Sequence, residues 1–143
     1  MKPKLRSRAR AAALQILYEI DLGASAADAF ADVVGHFGTP PLDNGYLKLL
    51  LDGVDERREE LKERLAAASP EWRFERQDVI DRNLLLMAAF ELVSATAPMK
   101  VVLSEAGELA TRYGSDRSSS FVRGTLGRLA EGLAEGLAEG LSE

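Results

Sequence analysis

Apolar residues recur along this chain at steps of three and four, the spacing of one face of an α-helix. Leu5, Ala9, Ala12, Ala13, Ile16 and Ile20 share a face at about 100° per residue, and Arg6, Arg10, Leu14 and Tyr18 form the neighbouring stripe. This predicts a helix to about Leu22, stopped by Gly23. Ser25-Ala-Ala-Asp28 has the form of a capping box, with Asp in place of Glu, and opens a second helix to about Phe37. Gly35, Gly38, Pro40 and Pro41 break that helix into a loop. Asp43 is placed to cap a long third helix that buries Tyr46, Leu47, Leu50, Leu51, Val54, Leu61 and Leu65.

Ser69-Pro70 marks the next start, because proline is tolerated in a first helical turn, and a short segment with Trp72 and Phe74 follows. From about Asp78 to Ser94 the chain is apolar on nearly every face, which predicts the central helix of a bundle. Pro98 ends the connection, a further helix runs from about Val101 to Tyr113, and Gly114 supplies its stop. Ser115-Asp116-Arg117-Ser118 reads as a polar loop capping a last helix from near Ser119. No alternating strand pattern occurs, so the expected fold is an all-α bundle of about six or seven helices. The end of the chain repeats Leu-Ala-Glu-Gly three times from Leu129 to Gly140. Leucines four apart drift about 40° per repeat and each glycine costs about 1 kcal/mol relative to alanine, so residues 131–143 are expected to form a low-complexity helical extension that frays.

With 143 residues and 46% hydrophobic positions, the chain suits one domain with a real core. There is no cysteine, which excludes a disulfide scaffold and Cys-based zinc or redox sites. His36 is the only histidine and reads as a structural or incidental loop residue. Gly124-Thr-Leu-Gly127 follows no strand and is not a phosphate loop. Glu105 and Glu108, or Asp78 and Asp81, need further carboxylates and histidines to hold a metal. No catalytic constellation, metal or cofactor is therefore expected. No apolar run approaches the roughly 18 residues of a membrane span, and no signal-peptide core follows the basic N-terminus, so a cytoplasmic protein is expected.

The net charge of −5 is unevenly spread. The first ten residues hold Lys2, Lys4, Arg6, Arg8 and Arg10 and no carboxylate, whereas the rest of the chain sets 13 basic against 23 acidic groups, a balance of −10. A basic arm on an acidic body suits phosphate binding, with the acidic surface discouraging indiscriminate contacts. A solubilising tail is the plainer reading of a short basic N-terminus, but this one continues into a helix that must bury its apolar face. The run Asp55–Arg64, nine of ten residues charged with both signs mixed, reads as a solvated helix face.

Four blocks, in order, resemble the NusB family of bacterial transcription antitermination factors. They are Arg6-Ser-Arg8-Ala-Arg10-Ala-Ala-Ala-Leu14-Gln-Ile-Leu17-Tyr18, then Val79-Ile-Asp81-Arg82 with Ala88-Ala-Phe90-Glu91-Leu92. Pro98-Met-Lys100 through Ser104-Glu105-Ala106 to Glu108-Leu-Ala follows, then Tyr113-Gly114 with Ser118-Ser-Ser-Phe121-Val-Arg-Gly124-Thr-Leu126. The resemblance covers residues 1–130 and leaves out the repeat tail. It implies a compact, non-enzymatic RNA-binding fold of two helical subdomains, which pairs with NusE, a small-subunit ribosomal protein. It also implies binding to the single-stranded boxA element of ribosomal RNA leaders and assistance to RNA polymerase in reading through terminators.

On that resemblance, Lys2, Arg6, Arg8 and Arg10 would contact phosphates, and Tyr18, Tyr113 and Phe121 would stack on or hydrogen-bond to bases, with Lys100, Arg117 and Ser118 adding phosphate or sugar contacts. Phe121 has an equal claim to a core position. Acidic Glu75, Asp81 and Glu91 are the candidates for a basic ribosomal partner. Two departures stand out: Arg117 replaces a commonly acidic residue, which should strengthen phosphate attraction and lessen dependence on NusE, and Arg123 replaces the usual asparagine before Gly124. Ser104 also stands where asparagine is usual. The competing readings are a homodimeric structural module, with monomer or dimer left open, and a detached RNA-targeting domain of a ribosomal RNA methyltransferase.

Overall fold

The computed structural model describes the backbone of residues 2–37, 41–70 and 73–142, with side chains over 5–35, 41–70 and 73–136. Six α-helices and one short 3-10 turn are formed, and there is no strand among the described residues. The helices are α1 (Lys2–Asp21), α2 (Ala26–Phe37), α3 (Asn44–Ala68), α4 (Val79–Ser94), α5 (Met99–Tyr113) and α6 (Ser118–Ser142), with the 3-10 turn at Phe74–Arg76. The chain divides into two compact units, Met1–Glu56 and Arg57–Glu143. Two helical subdomains were expected, and the boundary between these units falls inside α3.

In the first unit α1 packs against α2. Ala9, Ala12, Ala13 and Ile16 are buried on the expected face, but Leu14 and Leu17 are buried too, so α1 is enclosed more widely than one stripe. Gly23 ends α1 at φ +107°, a conformation that favours glycine. Its N–H donates to the Ile20 carbonyl (3.0 Å) and the Ala24 N–H to Glu19 (3.0 Å), the paired bonds of a Schellman stop. Ser25 Oγ accepts from the Asp28 N–H at 3.1 Å and opens α2. Asp43 Oδ1 accepts from the Tyr46 N–H at 2.9 Å and opens α3, a cap of the kind that stabilises by about 1 kcal/mol. Tyr46, Leu47, Leu50 and Val54 are buried as expected, while Leu51 is half-buried.

α3 is interrupted at Arg57, whose φ of −113° and ψ of 17° are not helical, at the point where the second unit begins. The charged run beyond it is tied together rather than merely solvated. Arg57 grips both oxygens of Glu60 at 2.9 and 2.8 Å, and Arg64 Nε donates to Glu60 Oε2 at 3.0 Å. The Arg57 hydrogen bond first, and that from Arg64 next, pull the Glu60 carboxyl down to about 2. Arg128 Nε donates to the Ala68 carbonyl at 2.9 Å, satisfying an orphan group at the end of α3. Phe74 lies under Lys62 Nζ and the Arg82 guanidinium, 4.4 and 5.4 Å from its ring centre.

α4 is the central element of the second unit: it packs against both α5 and α6, which also pack on each other. Every residue from Asn83 to Glu91 is buried, so the all-round apolar pattern was a faithful sign of enclosure. Asp78 occupies the N-cap position of α4 without a side-chain cap bond. α5 begins two residues earlier than the periodicity suggested, because extended Pro98 serves as its N-cap. α6 begins at Ser118 and continues through residue 131 to Ser142 as one helix. The side chains of His36 and Trp72, and those of the tail from residue 137, lie outside the described residues.

Candidate nucleic-acid interface

The arginines of α1 follow one another on alternate residues, and the fold treats each differently. Arg6 is half-exposed (48%), with its Nε 3.9 Å from Asp43 Oδ2 and its guanidinium 4.4 Å from the Tyr46 ring centre. Arg8 Nη1 donates to the Pro41 carbonyl at 3.0 Å. Arg10 is 2% exposed and lies 5.4 Å from the same Tyr46 ring. The expectation that Arg10 contacts phosphate alongside Arg6 and Arg8 is therefore corrected, because Arg10 is inside, as is Leu14 on the same stripe. Tyr46 explains the change: an aromatic face beneath Arg6 and Arg10 replaces part of their lost hydration. Tyr18 is half-buried on the next turns, and the side chain of Lys2 lies outside the described residues.

The start of α3 thus organises the start of α1. The Asp43 N–H donates to the Leu5 carbonyl at 3.1 Å, its carboxylate caps α3 and faces Arg6, and Tyr46 underlies two guanidinia. Tyr46 and Asp43 were read from the sequence only as core and cap residues. The signal that links them to the arginines is the aromatic three residues after the cap, on the first turn of α3.

In the second unit, Lys100 is exposed on the first turn of α5 and Tyr113 is 40% exposed at its end, with the Arg112 guanidinium 5.9 Å from its ring centre. Arg117 is exposed, and its carbonyl accepts from the Phe121 N–H at 3.1 Å. Phe121 is half-buried, between the stacking and core roles expected of it.

Ser118 is 1% exposed, so a direct sugar or phosphate contact from its side chain is not available in this conformation. It holds the turn instead: its Oγ accepts from the Ser115 N–H at 2.9 Å, the reverse of a loop capping the helix. Gly114 belongs to the same junction. Its φ is −94°, and what demands glycine is space, since a Cβ would stand 2.5 Å from Ser118 Oγ and 2.8 Å from the Ala110 carbonyl.

Of the carboxylates expected to meet a partner, Glu75 is exposed in the 3-10 turn. Asp81 and Glu91, at 7% and 1% exposure, are inside, which corrects the expectation of surface groups. Glu91 ends the stretch of α4 buried on every face, and Asp81 lies just before it, between half-buried Ile80 and Arg82. Burial pushes the Asp81 carboxyl up; a hydrogen bond from Ser118 opposes this and the neighbouring charge of Asp78 adds to it. Asp81 Oδ1 has no hydrogen-bond partner among the described residues. Among the described residues no group of three or more His, Asp or Glu side chains is placed to hold a metal, and no helix is long and apolar enough to cross a membrane.

These features define a small all-helical protein of two helical units, one with an arginine-rich helix organised from within and the other with a helix junction carrying an exposed tyrosine and arginines. The chain belongs to the NusB family, whose model matches residues 7–131. Over 133 residues it is 41% identical to the transcription antitermination protein NusB of Anaeromyxobacter dehalogenans (strain 2CP-1), covering 90% of this chain and 92% of that one. The corresponding protein of Sorangium cellulosum is 42% identical, with 90% and 93% covered. Among solved structures, T. maritima NusB superposes with a TM-score of 0.74 at 26% identity, covering 88% of this chain and 90% of that chain. A crystal structure of antitermination factors NusB and NusE in complex with dsRNA has the same fold, with a TM-score of 0.78 at 24% identity over 90% of this chain and 98% of that chain.

Proposed function

We propose that this chain is a non-enzymatic, cytoplasmic transcription antitermination factor. In this reading it binds the boxA element of ribosomal RNA leader transcripts together with NusE and promotes read-through by RNA polymerase. The observation that carries the reading is 41% identity, over nine-tenths of the chain, to a protein named for antitermination. The arginine-rich helix supports it physically. Residues 1–130 are the working domain in this reading and 131–143 an extension.

Lys2, Arg6 and Arg8 supply phosphate contacts, which bring salt-dependent affinity and little sequence information. Arg10, being buried against Tyr46, acts by positioning rather than by touching RNA. Tyr18, Tyr113 and Phe121 offer rings to unpaired bases, at about 1–3 kcal/mol per stacked base. Arg117 adds charge at the α5–α6 junction and Lys100 adds it at the far end of α5, while Ser118 holds the turn that follows Tyr113. Glu75 is the carboxylate offered to the basic partner, with Asp81 and Glu91 shaping α4 from inside.

The test is a fluorescence-anisotropy titration of a boxA-like RNA against a scrambled RNA, with and without NusE. Preferential binding that NusE strengthens is expected. Equal, weak binding to both RNAs that NusE does not improve would overturn the reading.

A further inference from the structure

Apart from the groups assigned to RNA above, α5 and α6 form a surface pocket of about 400 Å³ lined by Glu108, Thr111, Arg112 and Arg123. Its size is within the range of about 300–1,000 Å³ typical of small-ligand sites. Its chemistry is lopsided toward cation: two guanidinia and one carboxylate. Neither arginine forms an ion pair with a carboxylate among the described residues, although Glu108 lines the same pocket. The Thr111 hydroxyl is turned to the helix and donates to the Gly107 carbonyl at 3.0 Å.

Gly107 sets the position of Arg123. A Cβ at this buried glycine would fall on the Arg123 guanidinium, so the missing side chain is what lets that guanidinium lie flat against α5. The pocket also adjoins a candidate RNA residue, since Arg112 reaches over the Tyr113 ring. Both arginines are exposed, and exposed guanidinia favour a phosphate, whose oxygens accept the forked N–H donors of arginine. A bare phosphate would be repelled by Glu108. A nucleotide reconciles the three charges, because a carboxylate accepts hydrogen bonds from an exocyclic amino group such as cytosine N4.

We propose that the Glu108–Arg112–Arg123 pocket seats one nucleotide of single-stranded RNA, its phosphate on the two guanidinia and its amino-bearing base edge on Glu108. The proposal rests on the RNA-binding reading above and adds a subsite to it. Gly107 is a positioning residue for Arg123.

The experiment measures anisotropy of a fluorescein-labelled boxA-like RNA against the full chain and its Arg123→Ala, Gly107→Ala, Glu108→Gln and Arg6→Ala variants, over a salt series. Helical content and melting are checked for each variant. Arg123→Ala and Gly107→Ala should each weaken binding by about 3–10-fold and make the salt slope shallower by about 0.7, one phosphate contact on a single strand. Gly107→Ala keeps every charge, so its loss reports position rather than net charge. Oligocytidine and oligouridine then test the base edge: Glu108→Gln should weaken the first relative to the second.

If Arg123→Ala and Gly107→Ala match the parent while Arg6→Ala weakens binding, the pocket is overturned and the RNA reading stands. If Glu108→Gln strengthens both oligonucleotides equally, Glu108 only repels and the nucleotide assignment is overturned. If the parent chain does not distinguish boxA-like RNA from a scrambled one, the reading beneath the proposal fails first.

Discussion

Arg6, Arg8 and Arg10 carry the same charge and differ in what surrounds it. Arg10 is enclosed over Tyr46, Arg8 is tied to the Pro41 carbonyl, and Arg6 faces Asp43 at 3.9 Å with both side chains partly in water. An exposed pair of this kind is worth about 0–1 kcal/mol, and RNA phosphate must compete with it. Asp43→Ser removes the competing charge and keeps a residue able to cap α3. Its expected effect is up to about 5-fold tighter RNA binding at low salt, with a melting temperature lowered by no more than the loss of this one weak pair allows, read by anisotropy and circular dichroism. Asp81 gives a second expectation at this scale. Its carboxyl is pushed up by burial, so the folded state binds protons more readily than the unfolded chain, and the ionised form costs stability above that raised value. Asp81→Asn should raise the melting temperature at pH 7, and the gain should shrink as pH falls from the raised value toward the ordinary aspartate value of about 4 and be gone below it. Neither Arg10 nor Asp81 was legible as buried in the sequence. A helical wheel orders residues around one axis, whereas the burial of both is set by groups from elsewhere in the chain, Tyr46 beside the one and Ser118 beside the other.

Helix ends, by contrast, were written locally. Gly23, Ser25 and Asp43 each act within a turn of themselves, so the sequence pattern alone placed the end of α1 and the starts of α2 and α3. The break at Arg57 was not readable, because a run of nine mixed charges has the same composition whether it stays helical or is interrupted. The Arg57–Glu60–Arg64 cluster immediately beyond it is the element-scale consequence. Glu60 is held at about 2, below the ordinary glutamate value of about 4.3, so its contribution is fully present above that value and is lost as pH falls toward 2. Glu60→Gln should therefore melt at a lower temperature than the parent above pH 5, and the two curves should converge near pH 2. Thermal melts across that range check it; a gap that persists at pH 2 would contradict the ionic origin. The junction of α5 and α6 lies between these extremes. Gly114 was legible as a stop, but its reason, the closeness of Ser118, required the packed helices.

At the scale of the molecule, the candidate RNA residues belong to both compact units: Lys2, Arg6, Arg8 and Tyr18 to Met1–Glu56, and Lys100, Tyr113, Arg117 and Phe121 to Arg57–Glu143. The all-α class and the helix order were legible because each helix carries its own apolar period, whereas the boundary between units was hidden inside α3. Charge asymmetry pointed to the first set, and only the resemblance of the later blocks to the NusB family pointed to the second. In the proposed function, RNA contacts residues of each unit. The most direct measurement is amide hydrogen exchange of the full chain with and without a saturating boxA-like RNA. Slowed exchange is expected both in the first turns of α1 and at the α5–α6 junction, with the exposed outer face of α2 unchanged. Protection confined to one of the two, or absent from both, would contradict it.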